Sequence, residues 1–201
     1  MNGAAPRDYR RDVRPSPPLG LLALALVLAA CGGGGGGGGA KPAFAQGSFV
    51  GQARGSDAFV AVVAGKENVA AYVCDGARGI AELFSGPRSG GSVRLTADDG
   101  SKLAAVVAIG GAHGNVTLPH GGTLTFFARP AYGKAGFYRA TGRLHGEPAT
   151  LGWVVLYDGR QRGALKTTTV TTAPMLNTAT QTATLAGVGT INAAQITPSR
   201  E

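Results

Sequence analysis

Glycine interrupts this chain too often for long helices. Beyond the first thirty residues one recurs every few positions, 34 in 201 residues overall, and each glycine inside a helix costs about 1 kcal/mol relative to alanine. A typical chain has about 7% glycine, so the excess needs a structural use. Tight turns between short strands are the use that access to positive φ serves best. Disorder is not the alternative, because apolar residues make up 44% and charged ones only 15%, the reverse of a chain that stays unfolded. A length of 201 residues leaves room for one ordinary domain or two very small ones.

Residues 46–201 read as one antiparallel β domain, in runs of five to eight residues separated by turn residues. Some runs alternate: in Ser92-Val93-Arg94-Leu95-Thr96 the valine and leucine face one side, and Asn115-Val116-Thr117-Leu118 and Thr123-Leu124-Thr125-Phe126 behave likewise. Others, at 59–64, 69–74, 103–109 and 153–157, are apolar throughout. These fit strands covered on both faces, or strands whose outward positions hold small residues. Residues 103–109 are also compatible with one short helix, although Gly100 and Gly110-Gly111 bracket them closely.

Asp75-Gly76, Asp99-Gly100 and Asp158-Gly159 have the chemistry of hairpin turns, most clearly where Val154-Val155-Leu156-Tyr157 leads into Asp158-Gly159. Gly65-Lys66-Glu67-Asn68 suits a four-residue connection. Phe49-Val50-Gly51-Gln52-Ala53-Arg54-Gly55 is echoed by Phe137-Tyr138-Arg139-Ala140-Thr141-Gly142-Arg143, each followed by an apolar run and an Asp-Gly pair. Either two similar halves are present, or the echo is chance in a glycine-rich β sequence. The threonine-rich stretch from Lys166 to Thr197 is either a stalk or further strands, and Thr182-Ala183-Thr184-Leu185 with residues 188–191 favours a hairpin. The expected fold is all-β: an antiparallel meander closing into a small barrel or a sandwich.

The N-terminus carries a different message. Arg7, Arg10, Arg11 and Arg14 precede an apolar run at 19–30, which ends in Leu28-Ala29-Ala30-Cys31. Twelve apolar residues suit the core of an export signal, which needs about 7 to 15, and fall short of the roughly 20 that span a bilayer. The segment resembles the signal peptide and lipobox of bacterial lipoproteins, an aliphatic residue and two small ones before a cysteine. That resemblance covers residues 1–31 only. It implies removal of residues 1–30, a diacylglyceryl group on the Cys31 thiol, and usually a third acyl chain on its amine. The implied localisation is the cell envelope, with the membrane as partner through the acyl chains. Gly32 stands where an aspartate would favour retention at the inner membrane, so the resemblance favours the periplasmic side of the outer membrane in a double-membraned source. Gly32 to Gly39 is an unbroken glycine run, and residues 31–45 therefore read as a flexible tether from the lipidated cysteine.

Catalytic signatures are missing from the sequence. It contains no Gly-x-Ser-x-Gly, no His-Glu-x-x-His and no paired cysteines for zinc. His113 and His120 flank a short strand, which would hold them roughly 23 Å apart at about 3.3 Å per residue, too far to share a metal ion. His145 sits in a turn. No cofactor or metal is implied. Cys74, within an apolar run and beside Asp75, reads as a small buried hydrophobe and not a reactive thiol.

From Cys31 onward 15 Lys and Arg stand against nine Asp and Glu, a net charge of +6. Arg139 with Arg143, and Arg160 with Arg162, share strand parity. They form either a basic stripe for an anionic envelope component or a solvated face that discourages edge aggregation. Nucleic acid is not an expected partner, since that would want exposed aromatics near the cations in a compartment holding nucleic acid, and export argues otherwise. Phe59, Tyr72, Trp153 and Tyr157 are the candidates for an aromatic lining around a small apolar ligand, and would serve equally as core. The sequence thus supports a lipid-anchored binding or structural module. The alternative is an envelope hydrolase whose site is assembled from dispersed residues.

Overall fold

Each strand of the first half folds back on the one before it. The structure, a computed structural model, describes residues 44–198; the expected signal segment, Cys31 and the glycine run lie outside the described residues. Strands β1 (Gly47–Gln52), β2 (Phe59–Ala64), β3 (Asn68–Asp75), β4 (Ile80–Pro87), β5 (Ser92–Thr96), β6 (Lys102–Ala108), β7 (Gly111–Thr117) and β8 (Thr123–Pro130) form an antiparallel meander. The last strand then returns to the first, pairing Phe49 with Pro130 and Val50 with Arg129. The order β4-β3-β2-β1-β8-β7-β6-β5 leaves only β4 and β5 unpaired with each other, so the sheet is nearly closed into a barrel. At that seam Leu95 lies against Gly86, where a Cβ would come within 2.7 Å of Leu95 Cδ2.

The interior is packed. Phe49, Phe84 and Phe126, with valines and alanines from β2, β3 and β5 to β8, fill it at 0–2% exposure for the three phenylalanines. On β5 and β6 the alternation is simple, with Val93, Leu95, Leu103, Ala105 and Val107 inward and Arg94, Ala104 and Val106 facing out. Residues 103–109 therefore belong to a strand and its turn, with small or branched residues on the outer wall. All six residues of β2 are buried, because a second layer covers its outer face.

That layer comes from the rest of the chain: β9 (Gly136–Leu144), β10 (Glu147–Val155), β11 (Gln161–Lys166), β12 (Val170–Thr172), β13 (Thr182–Leu185), β14 (Gly189–Asn192) and β15 (Ala194–Ile196). Five of these form a sheet in the order β12-β11-β10-β9-β15, while β13 and β14 make a separate hairpin. Val50, Phe59, Ala61, Tyr72 and Cys74 of the barrel wall pack against Phe137, Val154, Leu156 and Ala164 of this sheet. Its far face carries Tyr138, Leu151, Trp153 and Leu165, covered by Ala173, Leu176, Ala183 and Ala193. The threonine-rich stretch is thus strand and cover, not stalk. The two echoing segments begin two different sheets: Phe49 faces the barrel interior and Phe137 the barrel's outer wall. They do not join in closing one barrel.

The expected hairpins form, with one difference in detail. Between β10 and β11, Leu156 N–H donates to Arg160 O at 2.8 Å, and Gly159 closes the turn at φ +84; Ala97 to Ser101, with Gly100 at φ +88, repeats this arrangement. At Asp75-Gly76 the left-handed residue is instead Gly79, after a 3-10 turn at Gly76–Arg78. Gly76 is glycine for space, since a Cβ there would fall 2.5 Å from Thr172 Cα.

Candidate functional site between the barrel and the second sheet

Strand β11 crosses the barrel wall: Arg160 reaches Gln52 of β1 (3.2 Å), and Lys166 Nζ donates to Ala81 O of β4 (3.4 Å). Near the Lys166 end the two layers leave a pocket of about 250 Å³. Its apolar side is made by Tyr72, Leu83 and Phe137, its polar side by Glu82, Asp98, Arg139, Thr150 and Lys166. Cross-strand register explains the floor, since Tyr72 on β3 is directly opposite Leu83 on β4 and both face outward. From the other layer Phe137 stacks on Tyr72, with ring centroids 4.8 Å apart and planes 17° from parallel.

Glu82 is placed differently. It pairs with the inward residue Val73, but β4 is the seam strand, and there its carboxylate meets Lys166 Nζ at 3.5 Å. The residue is 7% exposed. Burial pushes its carboxyl above the ordinary range, Lys166 opposes that, and Asp99 adds to it. Burial also acts against the Asp99 carboxylate, but hydrogen bonds from the Ser101 N–H and Oγ, each 2.8 Å, outweigh it and hold Asp99 low. Burial raises the Tyr72 hydroxyl well above its usual value, with Cys74 and Glu82 adding to the effect and Arg139 lowering it.

Arg139 is the cation in this pocket without a counter-charge. Among the described residues it makes no ion pair, and its Nε is buried with no hydrogen-bond acceptor. A buried donor left unpaired costs about 1–3 kcal/mol, so an acceptor entering the pocket recovers that cost.

The four aromatic candidates do not share one lining, and none lies in the barrel interior. Tyr72 floors the pocket. Phe59 lies in the same layer but away from it, with the guanidinium carbons of Arg160 and Arg162 each 5.7 Å from its ring centre. Trp153 points to the far face of the second sheet and donates from Nε1 to Pro174 O at 2.8 Å. Tyr157, at a hairpin tip, is 67% exposed.

The four arginines do not form one stripe either, because β10 separates β9 from β11 and their side chains leave the layer in different places. Arg139 lines the pocket, while Arg160 and Arg162 are paired with Asp158 (2.8 Å) and Asp57 (3.7 Å). Arg143 is exposed near the end of β9 and donates to Gly146 O at 2.7 Å. His113 lies within β7 on the outer wall, not in a loop. Among the described residues no three His, Cys, Asp or Glu side chains gather as a metal centre would require.

Sequence reasoning missed Glu82, Phe137, Thr150 and Lys166 as partners of Tyr72 and Arg139. One signal was available: Glu82 interrupts the apolar stretch Ile80-Ala81-Glu82-Leu83-Phe84, where a solvated carboxylate has no place. No protein-family model matches the chain, and no curated protein or solved structure is significantly similar to it.

Proposed function

We propose that the chain is a lipid-anchored envelope binding module. Cys31 holds it on a membrane, facing the periplasm from the outer membrane in a double-membraned source, and the pocket between barrel and second sheet takes a small ligand with an anionic group on a flat or apolar body. The observation that carries the binding reading is Arg139, whose buried Nε has no acceptor beside an aromatic floor. Ligand pockets usually measure about 300–1,000 Å³, so a volume near 250 Å³ favours a ligand of monosaccharide or single-ring size. A packed barrel interior supports placing the ligand outside the barrel and not within it.

Benzoate and benzamide, alike in shape and different in charge, test the pocket. Benzoate at about a hundred times its dissociation constant should stabilise the protein by about 2.7 kcal/mol, benzamide should have much less effect, and Arg139→Leu should remove the difference. Equal thermal shifts from the two compounds would count against an anion site. The anchor is tested separately: Cys31→Ala should abolish acylation and release the protein from membranes, and unchanged mass and fractionation would sink that half of the proposal.

A second reading has its own support. Glu82 and Asp98 line one pocket, and a buried carboxyl with a raised pKa suits a general acid. If the module is a hydrolase, Glu82→Gln and Asp98→Asn should each abolish turnover of chromogenic glycosides or esters.

A further inference from the structure

The exposed apolar side chains are concentrated at one end of the barrel. Of eight large hydrophobic residues exposed among the described residues, five (Phe44, Val106, Ile109, Phe127 and Tyr132) lie at or near the end where β1 begins. Ile109 and Tyr132 border a common crevice with Ala45 and Gln46, and the ring of Phe44 lies against Gly90 and Gly91. Val106, His113 and Phe127 face one another across β6, β7 and β8 on the outer wall. Ile109 and Tyr132 are 69% and 81% exposed, too open to serve as core.

Charge at this end is predominantly cationic. The β1-start end carries Lys66, Arg88, Arg129 and Lys134 against Glu67, whereas at the opposite end Asp57, Asp75, Asp98, Asp99 and Asp158 are balanced by Arg54, Arg78, Lys102, Arg160 and Arg162, with Asp57, Asp75 and Asp158 in ion pairs. Arg88 anchors this end from within, donating to Ala45 O at 2.9 Å and Lys66 O at 3.1 Å. A cationic rim around exposed aromatic and aliphatic side chains is the chemistry of a bilayer interface with anionic headgroups.

We infer that this end of the barrel is a second membrane contact that docks on an anionic lipid surface and holds the domain upright with the ligand pocket on its side. The inference rests on the lipid-anchor reading for its orientation. Only twelve residues separate Cys31 from Phe44, a span of at most about 47 Å at 3.3–3.6 Å per residue, so an acylated Cys31 keeps this end near the bilayer. Phe44, Ile109 and Tyr132 then enter the headgroup region while Lys66, Arg129 and Lys134 meet lipid phosphates.

The test uses the acylated protein on vesicles of phosphatidylethanolamine and phosphatidylglycerol. Cys74 is wholly buried, so a cysteine introduced by Ile109→Cys, Tyr132→Cys or Tyr157→Cys can carry an environment-sensitive fluorophore alone. Labels at 109 and 132 should shift to the blue and be quenched by brominated lipids, and the label at 157 should report water. Replacing phosphatidylglycerol by phosphatidylcholine, or raising salt to about 0.5 M, should weaken the shift at 109 and 132. Acylated protein whose three labels behave alike overturns the docking face and leaves the anchor standing. If mass spectrometry finds no acyl chains, the anchor reading fails by itself. Sedimentation of the same unacylated protein with vesicles then decides the docking face, with an Ile109→Ser/Tyr132→Ser variant expected to bind roughly tenfold less and equal binding overturning it. Labels that shift without lipid as protein concentration rises would identify a contact between copies of the chain and overturn the lipid assignment.

Discussion

The ring of Tyr72 lies over Gly152, so closely that a Cβ at position 152 would fall 2.5 Å from Tyr72 Cζ and 2.7 Å from its hydroxyl oxygen. The contact joins the barrel wall to the central strand of the second sheet and fixes the ring that floors the pocket. Gly152→Ala should therefore destabilise the protein by about 1–3 kcal/mol, the usual cost of overpacking, and weaken benzoate binding. In a Tyr72→Ala background the same substitution should cost much less, because the side chain it collides with is gone. Urea midpoints of the two single variants and the double variant give the coupling directly; additive losses would show that the contact is not what makes position 152 glycine.

Cys74 links the layers from the other side, its thiol donating to Arg162 O at 3.3 Å. Burial pushes this thiol from 9.0 up to about 12. The unfolded chain then loses its proton near 9 while the folded chain keeps it, so stability falls as pH rises between those values, by about 1.4 kcal/mol per pH unit for this group. Tyr72, also raised by burial, acts in the same direction from about pH 10. Cys74→Ala should flatten the loss of stability above pH 9, as read from denaturant midpoints at several pH values. Ellman's reagent should leave Cys74 untouched until the protein is unfolded.

Turn chemistry made the hairpins at Asp99-Gly100 and Asp158-Gly159 legible, because a residue before a left-handed glycine has few other uses. Alternation gave the inner face of β5 and β6, and the unbroken apolar runs at 59–64 and 153–157 announced strands either covered on both sides or faced outward by small residues; 59–64 and 153–155 are of the first kind. Which layer covered them was not legible. Phe59 and Trp153 are equally apolar and equally buried in pattern, yet they point into different layers, and the choice depends on which face the second sheet lays on the barrel wall. The pocket was hidden for the same reason: Tyr72, Glu82, Arg139 and Lys166 come from four strands, and strand parity alone could place Arg139 on a face without showing what that face packs on.

Glu82 and Asp99 should give the acid side of the stability curve opposite contributions. Because burial raises Glu82 in the folded state, the unfolded chain releases this proton first, and stability falls as pH rises from the ordinary glutamate range to the folded value. Asp99 is held low, so its contribution is present above the ordinary aspartate range and is lost as pH falls through the folded value. Glu82→Gln should therefore gain stability relative to the native chain as pH rises above the ordinary glutamate range, while Asp99→Asn should lose it at lower pH, as pH rises to the ordinary aspartate range of about 4. Lys166→Met, which removes the partner opposing the Glu82 shift, should widen the Glu82 window to higher pH. Parallel curves for Glu82→Gln and the native chain would show that this carboxyl is not perturbed by folding.

Trp153 reports on the outermost layer. Its indole is 1% exposed, covers Gly163, and donates to Pro174 O, and this bond joins a small apolar cluster, two hydrogen bonds between the Gln161 amide and the Leu176 backbone, and the pairing of β12 and β15 in holding the threonine-rich segment on the second sheet. Trp153→Phe keeps most of that cluster but leaves the Pro174 carbonyl without its donor, for an expected loss of about 1–2 kcal/mol. Trp153→Ala should cost about 3–5 kcal/mol. As the chain's one tryptophan, it should also emit in the blue and resist acrylamide while the cover is closed. If the cover opens ahead of the barrel, tryptophan emission will redshift at lower urea than the loss of the far-ultraviolet β signal; coincident transitions would instead mean that barrel, second sheet and cover unfold as one unit.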